Sequence, residues 1–210
     1  MRIAAIIPAY NEEKNIGPVL SVVKQVKELT DILVVSDGST DRTADIARSF
    51  GLRTIELPYN MGKSYAMKIG LENTSAPFVL FLDADLIGVK PYHIKNLIMP
   101  VYQDAADMTL GVFSCGRGVT DFAQRLTPFL TGQRAVKRWI LDTLKHEDWT
   151  TGYGIEAALT RYAREQGLRV MEIPLLNVTH SLKEEKMGLG RGMVARLKMY
   201  WEITKELNRF

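Results

Sequence analysis

A single cysteine, Cys115, stands in 210 residues, so no intramolecular disulfide can form, which fits a reducing compartment. A small buried residue is the ordinary reading of such a cysteine. Long apolar runs are missing as well. Nothing approaches the roughly 18 uninterrupted apolar residues of a bilayer-spanning helix, and the opening MRIAAIIPAYNEE turns polar too early for the apolar region of a signal peptide. The expectation is a cytoplasmic protein. Charge of one sign hardly predominates, since 27 Lys and Arg against 24 Asp and Glu leave +3. That is too little for a nucleic-acid footprint, and any basic surface must be local. No repeat, low-complexity tract or Pro/Gly/Ser-rich linker divides the chain, so a single domain over 1–210 is expected. With 46% hydrophobic residues it can bury a substantial core.

What is present is alternation. RIAAIIPAY, DILVVSDGS, LRTIELP and FVLFLDADL read as strands. NIGPVLSVVKQVKEL, STDRTADIARSFG and NMGKSYAMKIGLENT read as the helices between them, the pattern of a parallel sheet with crossover helices. Ser39 or Thr40 is placed to cap the second helix and Gly51 to end it. Further on, DMTLGVF and LRVMEIPLLNV look like strands, while QRAVKRWILDTLKH, GIEAALTRYAREQG and RGMVARLKMYWEITKEL look helical. Glycine, asparagine and aspartate gather after the strand ends, where open α/β sheets bind ligands.

The strand FVLFLDADLIG carries two carboxylates, Asp83 and Asp85, one residue apart. Side chains alternate along a strand, so both would point to one face. Two like charges this close need a cation or a ligand's hydroxyl groups to balance them. A hard divalent metal does so and keeps positions free for phosphate oxygens. Capping of the strand-to-loop transition is the blander alternative, set aside because three more motifs stand in order before it. They are Pro8, Ala9, Tyr10 and Glu12 after the first strand, Asp37 in SDGSTD after the second, and Lys63 in NMGK after the third.

IIPAYNEE, VVSDGSTDRT, NMGKSYAMKIGL and LFLDADL together resemble the nucleotide-sugar-binding half of the GT-A glycosyltransferases, in particular family 2. The likeness covers roughly residues 3–90, with weaker echoes at TGQRAVKR and GYGIE. It implies a Rossmann-like, mixed but mainly parallel sheet flanked by helices, with 1–90 holding the donor and 91–210 the acceptor. It implies that Pro8, Ala9, Tyr10 and Glu12 line base and ribose, that Asp37 contacts the base, and that Lys63 faces the diphosphate. Asp83 and Ala84 would lie near ribose or sugar, with Asp85 as the main metal ligand.

His180, at the end of LLNVTH, resembles the late histidine that glucosyl-3-phosphoglycerate synthases use as a third ligand. The mixed set suits Mn²⁺ at least as well as Mg²⁺. The other two histidines, His93 and His146, are expected to face solvent. Glu156 in GYGIE is the candidate base, although no xED pair stands there and the stereochemistry stays open. Thr131, Gly132 and Arg134 echo a small-Gly-x-Arg-Ala segment of polyprenyl-phosphate glycosyltransferases. Arg134, Lys137 and Arg138 are expected on one helical face toward an anionic acceptor, with Val136, Trp139, Ile140 and Leu144 facing inward.

The activity implied is metal-dependent transfer of a sugar from a UDP- or GDP-sugar to a polyprenyl phosphate or a small phosphorylated or carboxylated acceptor. Peripheral membrane contact through 188–210 and a homo-oligomer stay open. Two alternatives are a non-catalytic nucleotide-sugar-binding protein and a sugar-nucleotide nucleotidyltransferase. The second lacks its glycine-rich loop here, and an NAD-binding domain lacks GxGxxG.

Overall fold

A computed structural model describes residues 2–114, 131–149 and 154–181. Cys115, Gly152 and Tyr153 of GYGIE, and the basic, apolar stretch 188–210 lie outside the described residues. The chain divides into two units, Met1–Thr179 and His180–Phe210, and the architecture that follows is that of the first.

The element order is β1 (Ile3–Ala9), α1 (Ile16–Val23), β2 (Asp31–Ser36), α2 (Thr43–Ser49), β3 (Arg53–Glu56), α3 (Lys63–Glu72), β4 (Phe78–Phe81), β5 (Leu86–Ile87), α4 (Pro91–Tyr102), β6 (Met108–Ser114) and β7 (Arg134–Lys137). There follow α5 (Arg138–Asp142), a 3₁₀ turn (His146–Trp149), α6 (Gly154–Glu165), β8 (Val170–Leu176) and β9 (Thr179–His180). Seven strands form one sheet in the order β3-β2-β1-β4-β7-β6-β8. β1 runs parallel to β2 and β4, β2 to β3, and β6 to β8, while β7 runs antiparallel to both of its neighbours. This is the mixed, mainly parallel sheet that the sequence led one to expect.

β1 is apolar along its whole length because helices cover both faces of a central parallel strand; all seven of its residues are buried. Ile3, Ala5 and Ile7 face Val19, Leu20 and Val23 of α1 and Ile94, Leu97 and Ile98 of α4. Ile6, with Val79 and Phe81 of β4, faces Ala66, Met67 and Leu71 of α3 and Ile155 and Leu159 of α6. Gly70 lets α3 come close: a Cβ there would lie 2.4 Å from Ile6 Cγ2. From β1 the chain proceeds to β2 and β3 on one side and returns to β4 on the other, so strand order reverses between β1 and β4. Their last pair is Ile6 with Phe81. Pro8, which has no N–H to give, lies beyond it, at the carboxyl ends where open α/β sheets bind their ligands.

Several local expectations are corrected. The strand carrying the aspartates ends at Phe81, and Ala84 and Asp85 sit in a turn before β5, so strand alternation is not what aligns the two carboxylates. Arg134–Lys137 is a strand, not a helix, and Lys137 turns to Asp104 and Asp107 while Arg138 donates to the Leu71 and Thr74 carbonyls. Trp139 is exposed, because α5 starts only at Arg138 and turns Ile140 and Leu141 inward instead. His93 is buried rather than solvated: its Nδ1 accepts the Lys90 N–H and closes a cap on α4. α1 stops at Val23, where the chain tightens into i→i−3 bonds through Val26. At α2 the N-cap is Arg42, with no side-chain bond of its own, rather than Ser39 or Thr40, and Asp41 before it takes the Thr43 N–H.

Candidate active site

The loops after β1 and β2 are laced together. Asn11 donates its N–H to Ser39 Oγ at 3.1 Å and accepts the Thr40 N–H at 2.8 Å; the Glu12 N–H reaches Thr43 Oγ1 at 2.7 Å. Glu12 also accepts the Asn15 side-chain amide at 2.7 Å. Ala9 is buried at the strand end, and Tyr10 beside it is exposed. Asp37 is buried, accepting the Met61 N–H on Oδ1 at 2.7 Å and the Gly62 N–H on Oδ2 at 2.9 Å. Its carboxylate thus fastens the entry to α3. Gly62 takes φ +95 there, a conformation open to glycine, and Lys63 follows as the first residue of the helix.

Lys63 is the centre of the charged cluster. Its Nζ lies 2.7 Å from Asp83 Oδ1 and 3.0 Å from Glu156 Oε1, so the first turn of α6 meets the start of α3 over the end of β4. Burial would pull the Lys63 ammonium down, but the charges of Asp83 and Glu156 outweigh it and hold it above the ordinary lysine value. Glu156 is 1% exposed.

The segment before β7 completes the wall. Arg134 pairs with Phe81 in the antiparallel register, which brings Thr131, Gly132 and Gln133 beside the aspartate turn. Gln133 donates from Nε2 to Asp83 Oδ2 at 2.6 Å and accepts Thr131 Oγ1 at 2.8 Å. Gly132 leaves the room: a Cβ there would lie 2.4 Å from Lys63 Nζ and 2.6 Å from Asp83 Oδ1. Arg134 is fully buried and donates twice to the Thr131 carbonyl, at 3.1 and 2.7 Å, and once to the Glu156 carbonyl at 3.3 Å. Its guanidinium is pushed down to about 10 by burial, against the pull of Glu156 and Asp83.

Asp83 and Asp85 each offer a ligand oxygen, the two within 4.8 Å of one another, and both residues are partly exposed. Ligands about 2.1 Å from a common ion stand at most about 4.2 Å apart, so small side-chain adjustments would close the pair on one cation. Two carboxylate oxygens fit a hard cation such as Mn²⁺ or Mg²⁺. Ala84, between the aspartates, is buried.

The structure therefore brings Lys63, Asp83, Asp85, Glu156, Thr131, Gly132 and Arg134 to one edge, and laces the loops of Pro8–Glu12 and Asp37 beside them, while His180 belongs to the second unit. Gln133 was the residue that sequence reasoning missed. The TGQRA echo pointed to its neighbours, but reading the segment as a helix drew attention to Arg134 alone.

Residues 4–163 match the profile of glycosyl transferase family 2. Among curated proteins, the chain resembles 4,4'-diaponeurosporenoate glycosyltransferase of Staphylococcus aureus, 37% identical over 98 residues, or 44% of this chain and 26% of that protein. The chain thus spans about a quarter of the length of the curated relatives it matches. Among solved structures it resembles glucosyl-3-phosphoglycerate synthase of Mycobacterium tuberculosis in complex with Mn²⁺, UDP and glucosyl-3-phosphoglycerate. The TM-score is 0.72 at 27% identity, covering 85% of this chain and 71% of that one. The same enzyme with Mg²⁺ and UDP gives a TM-score of 0.71 at 26% identity, with the same coverage.

Proposed function

The chain belongs to glycosyl transferase family 2, and on that premise we propose that it moves a sugar from a nucleoside diphosphate to an anionic acceptor with help from a divalent cation. The observation that carries this reading is the approach of Asp83 and Asp85 within 4.8 Å of one another beside the Lys63 ammonium. The tuberculosis enzyme, solved with UDP and Mn²⁺ and also with phosphoglyceric acid, supports a UDP-sugar as donor and a small phosphorylated acid as acceptor. Such an acceptor fits a cytoplasmic site of action.

Asp85 would hold the cation with Asp83 beside it, His180 being proposed as a further ligand from the sequence likeness alone, and a bound Mn²⁺ or Mg²⁺ supplies charge neutralisation for the leaving diphosphate. The chain's own residues do the rest. Pro8, Ala9 and Tyr10 form the wall for the base, Glu12 accepts ribose hydroxyls, and Asp37 acts through the loop it fastens ahead of Lys63. Lys63 stays protonated and offsets negative charge as the bond from the anomeric carbon to the diphosphate oxygen breaks, leaving its electron pair on that oxygen. The acceptor oxygen forms the new bond to the anomeric carbon, and its proton goes to the buried Glu156 carboxylate. Thr131 and Gly132 border the acceptor, and Arg134 contributes by holding the Thr131 carbonyl in place.

The test is transfer from radiolabelled UDP-glucose to 3-phosphoglycerate with Mn²⁺ and no lipid. A glycosylated product, lost on chelation, is expected. Metal-independent transfer would remove the cation from the proposal, and transfer only to a polyprenyl phosphate would replace the acceptor.

A further inference from the structure

We propose that Gln133, oriented by Thr131, is a positioning residue that aims the Asp83 carboxylate into the donor site. The proposal rests on the donor reading above and adds to it a residue to which neither the motifs nor the ligand cluster give a role.

Three observations converge on it. Gln133 is fully buried, so its amide cannot turn to water. Its two ends are both used: Nε2 donates to Asp83 Oδ2 at 2.6 Å and Oε1 receives Thr131 Oγ1 at 2.8 Å. The Thr131 hydroxyl oxygen also accepts the Gln133 N–H at 3.3 Å, so the hydroxyl proton goes to Oε1. That settles which way the amide faces, since a carboxylate accepts only and needs the NH₂ end. The backbone is fixed as well: the Gly111 N–H of β6 donates to the Gln133 carbonyl at 2.7 Å, immediately before β7 enters the sheet.

The consequence is a division of labour in the aspartate pair. Lys63 holds Asp83 Oδ1 at 2.7 Å and Gln133 holds Oδ2, so both oxygens of Asp83 already carry a donor from the protein. A carboxylate has about four lone-pair positions in all, and these two grips set the directions in which Asp83 presents them. Asp83 is thereby held as a fixed, charged acceptor suited to a hydroxyl of the donor. Charge-assisted hydrogen bonds of this kind are among the stronger ones. Loss of the Gln133 grip should leave Lys63 as the remaining one of the two and let the Asp83 carboxylate rotate about it.

The experiment measures Mn²⁺-dependent binding of UDP-glucose by calorimetry in wild type, Gln133→Met, Thr131→Val, Thr131→Ser and Asp83→Asn, and in the Asp83→Asn/Gln133→Met double variant. Gln133→Met should weaken the donor about tenfold. Thr131→Val should weaken it less, with Thr131→Ser restoring it, and the loss in turnover assays should fall on the donor KM. In the double variant the two losses should combine to much less than their product, because Gln133 acts through Asp83.

Wild-type affinity in Gln133→Met, or fully multiplicative losses in the double variant, would overturn the proposal. If wild type does not bind UDP-glucose, the donor reading fails by itself. The Gln133 proposal is then decided by a crystal structure of Gln133→Met: an Asp83 side chain in its original rotamer overturns it, and a rotated one supports it.

Discussion

Two charged clusters stand at opposite edges of the same sheet, and they are built differently. At the amino ends of β6 and β8, Asp107 accepts the Arg169 backbone N–H and Nε on Oδ2, and Lys137 and Arg169 Nη2 on Oδ1. Asp104 takes Lys137 and Arg169 as well. Hydrogen bonds from Arg169 and Lys137 hold the Asp107 carboxyl well below its usual range against the effect of burial. At Lys137, burial is outweighed by the two aspartates, which raise it. The rim of this cluster is wet, with Asp104 and half of Arg169 exposed.

At the carboxyl ends, one ammonium is shared between Asp83 and Glu156, and the Arg134 guanidinium spends three N–H contacts on backbone carbonyls. Glu156 is buried, and its Oε2 has no hydrogen-bond partner among the described residues. A buried carboxylate oxygen without a donor is costly. The first cluster matches its charges to hold strands together; the second leaves a buried carboxylate oxygen without a donor, the acceptor capacity that the base proposed above would need.

That contrast can be broken at several points. Glu156→Gln should lower kcat about 100- to 1,000-fold with donor affinity changed less than about threefold; unaltered turnover would make Glu156 a structural residue like Asp107. Asp85→Ala should weaken Mn²⁺-dependent UDP-glucose binding by about 100-fold without lowering the melting temperature, and equal binding with and without chelator in wild type would contradict it.

Asp107→Asn should do the reverse, costing about 2 kcal/mol of stability, or about 4–8 °C in Tm, while donor affinity stays the same. Because the Asp107 carboxyl is depressed in the folded protein, its contribution is complete above the unfolded value near pH 4 and fades as pH falls further. The Tm gap between wild type and Asp107→Asn should therefore narrow below pH 4, and a gap independent of pH would remove the ionic explanation. The smallest effect is expected from Gly132→Ala, about a tenfold loss of donor affinity with Tm within about 2 °C, since the added methyl meets the side-chain ends of Lys63 and Asp83 rather than backbone. A large loss of stability would show that this edge holds the fold after all.

Much of this arrangement was legible in the sequence, for reasons that also explain the failures. Strands such as IAAIIPA announce themselves because both faces are apolar, and α3 because a glycine precedes its periodic stretch. RAVK did not, because a fully buried arginine contradicts the usual link between charge and exposure. Burial is tolerated there only because the Thr131 and Glu156 carbonyls and two nearby carboxylates compensate the charge, and none of these is a sequence neighbour within one element. His93 misled in the same way, its polarity absorbed by a cap at Lys90. The aspartates converge through a turn rather than by strand alternation, so the expectation of closeness was right and its geometric reason was not. Gln133 was out of reach because an uncharged amide carries no signal until its partner 50 residues earlier is beside it.

The contact of Gly70 with Ile6 has an effect at a distance. Seven residues of helix separate position 70 from Lys63, about 10 Å of rise, so whatever lifts α3 off the central strand also displaces the ammonium at its tip. Mutagenesis confined to the pocket lining would overlook a residue whose only role is to keep that lever seated.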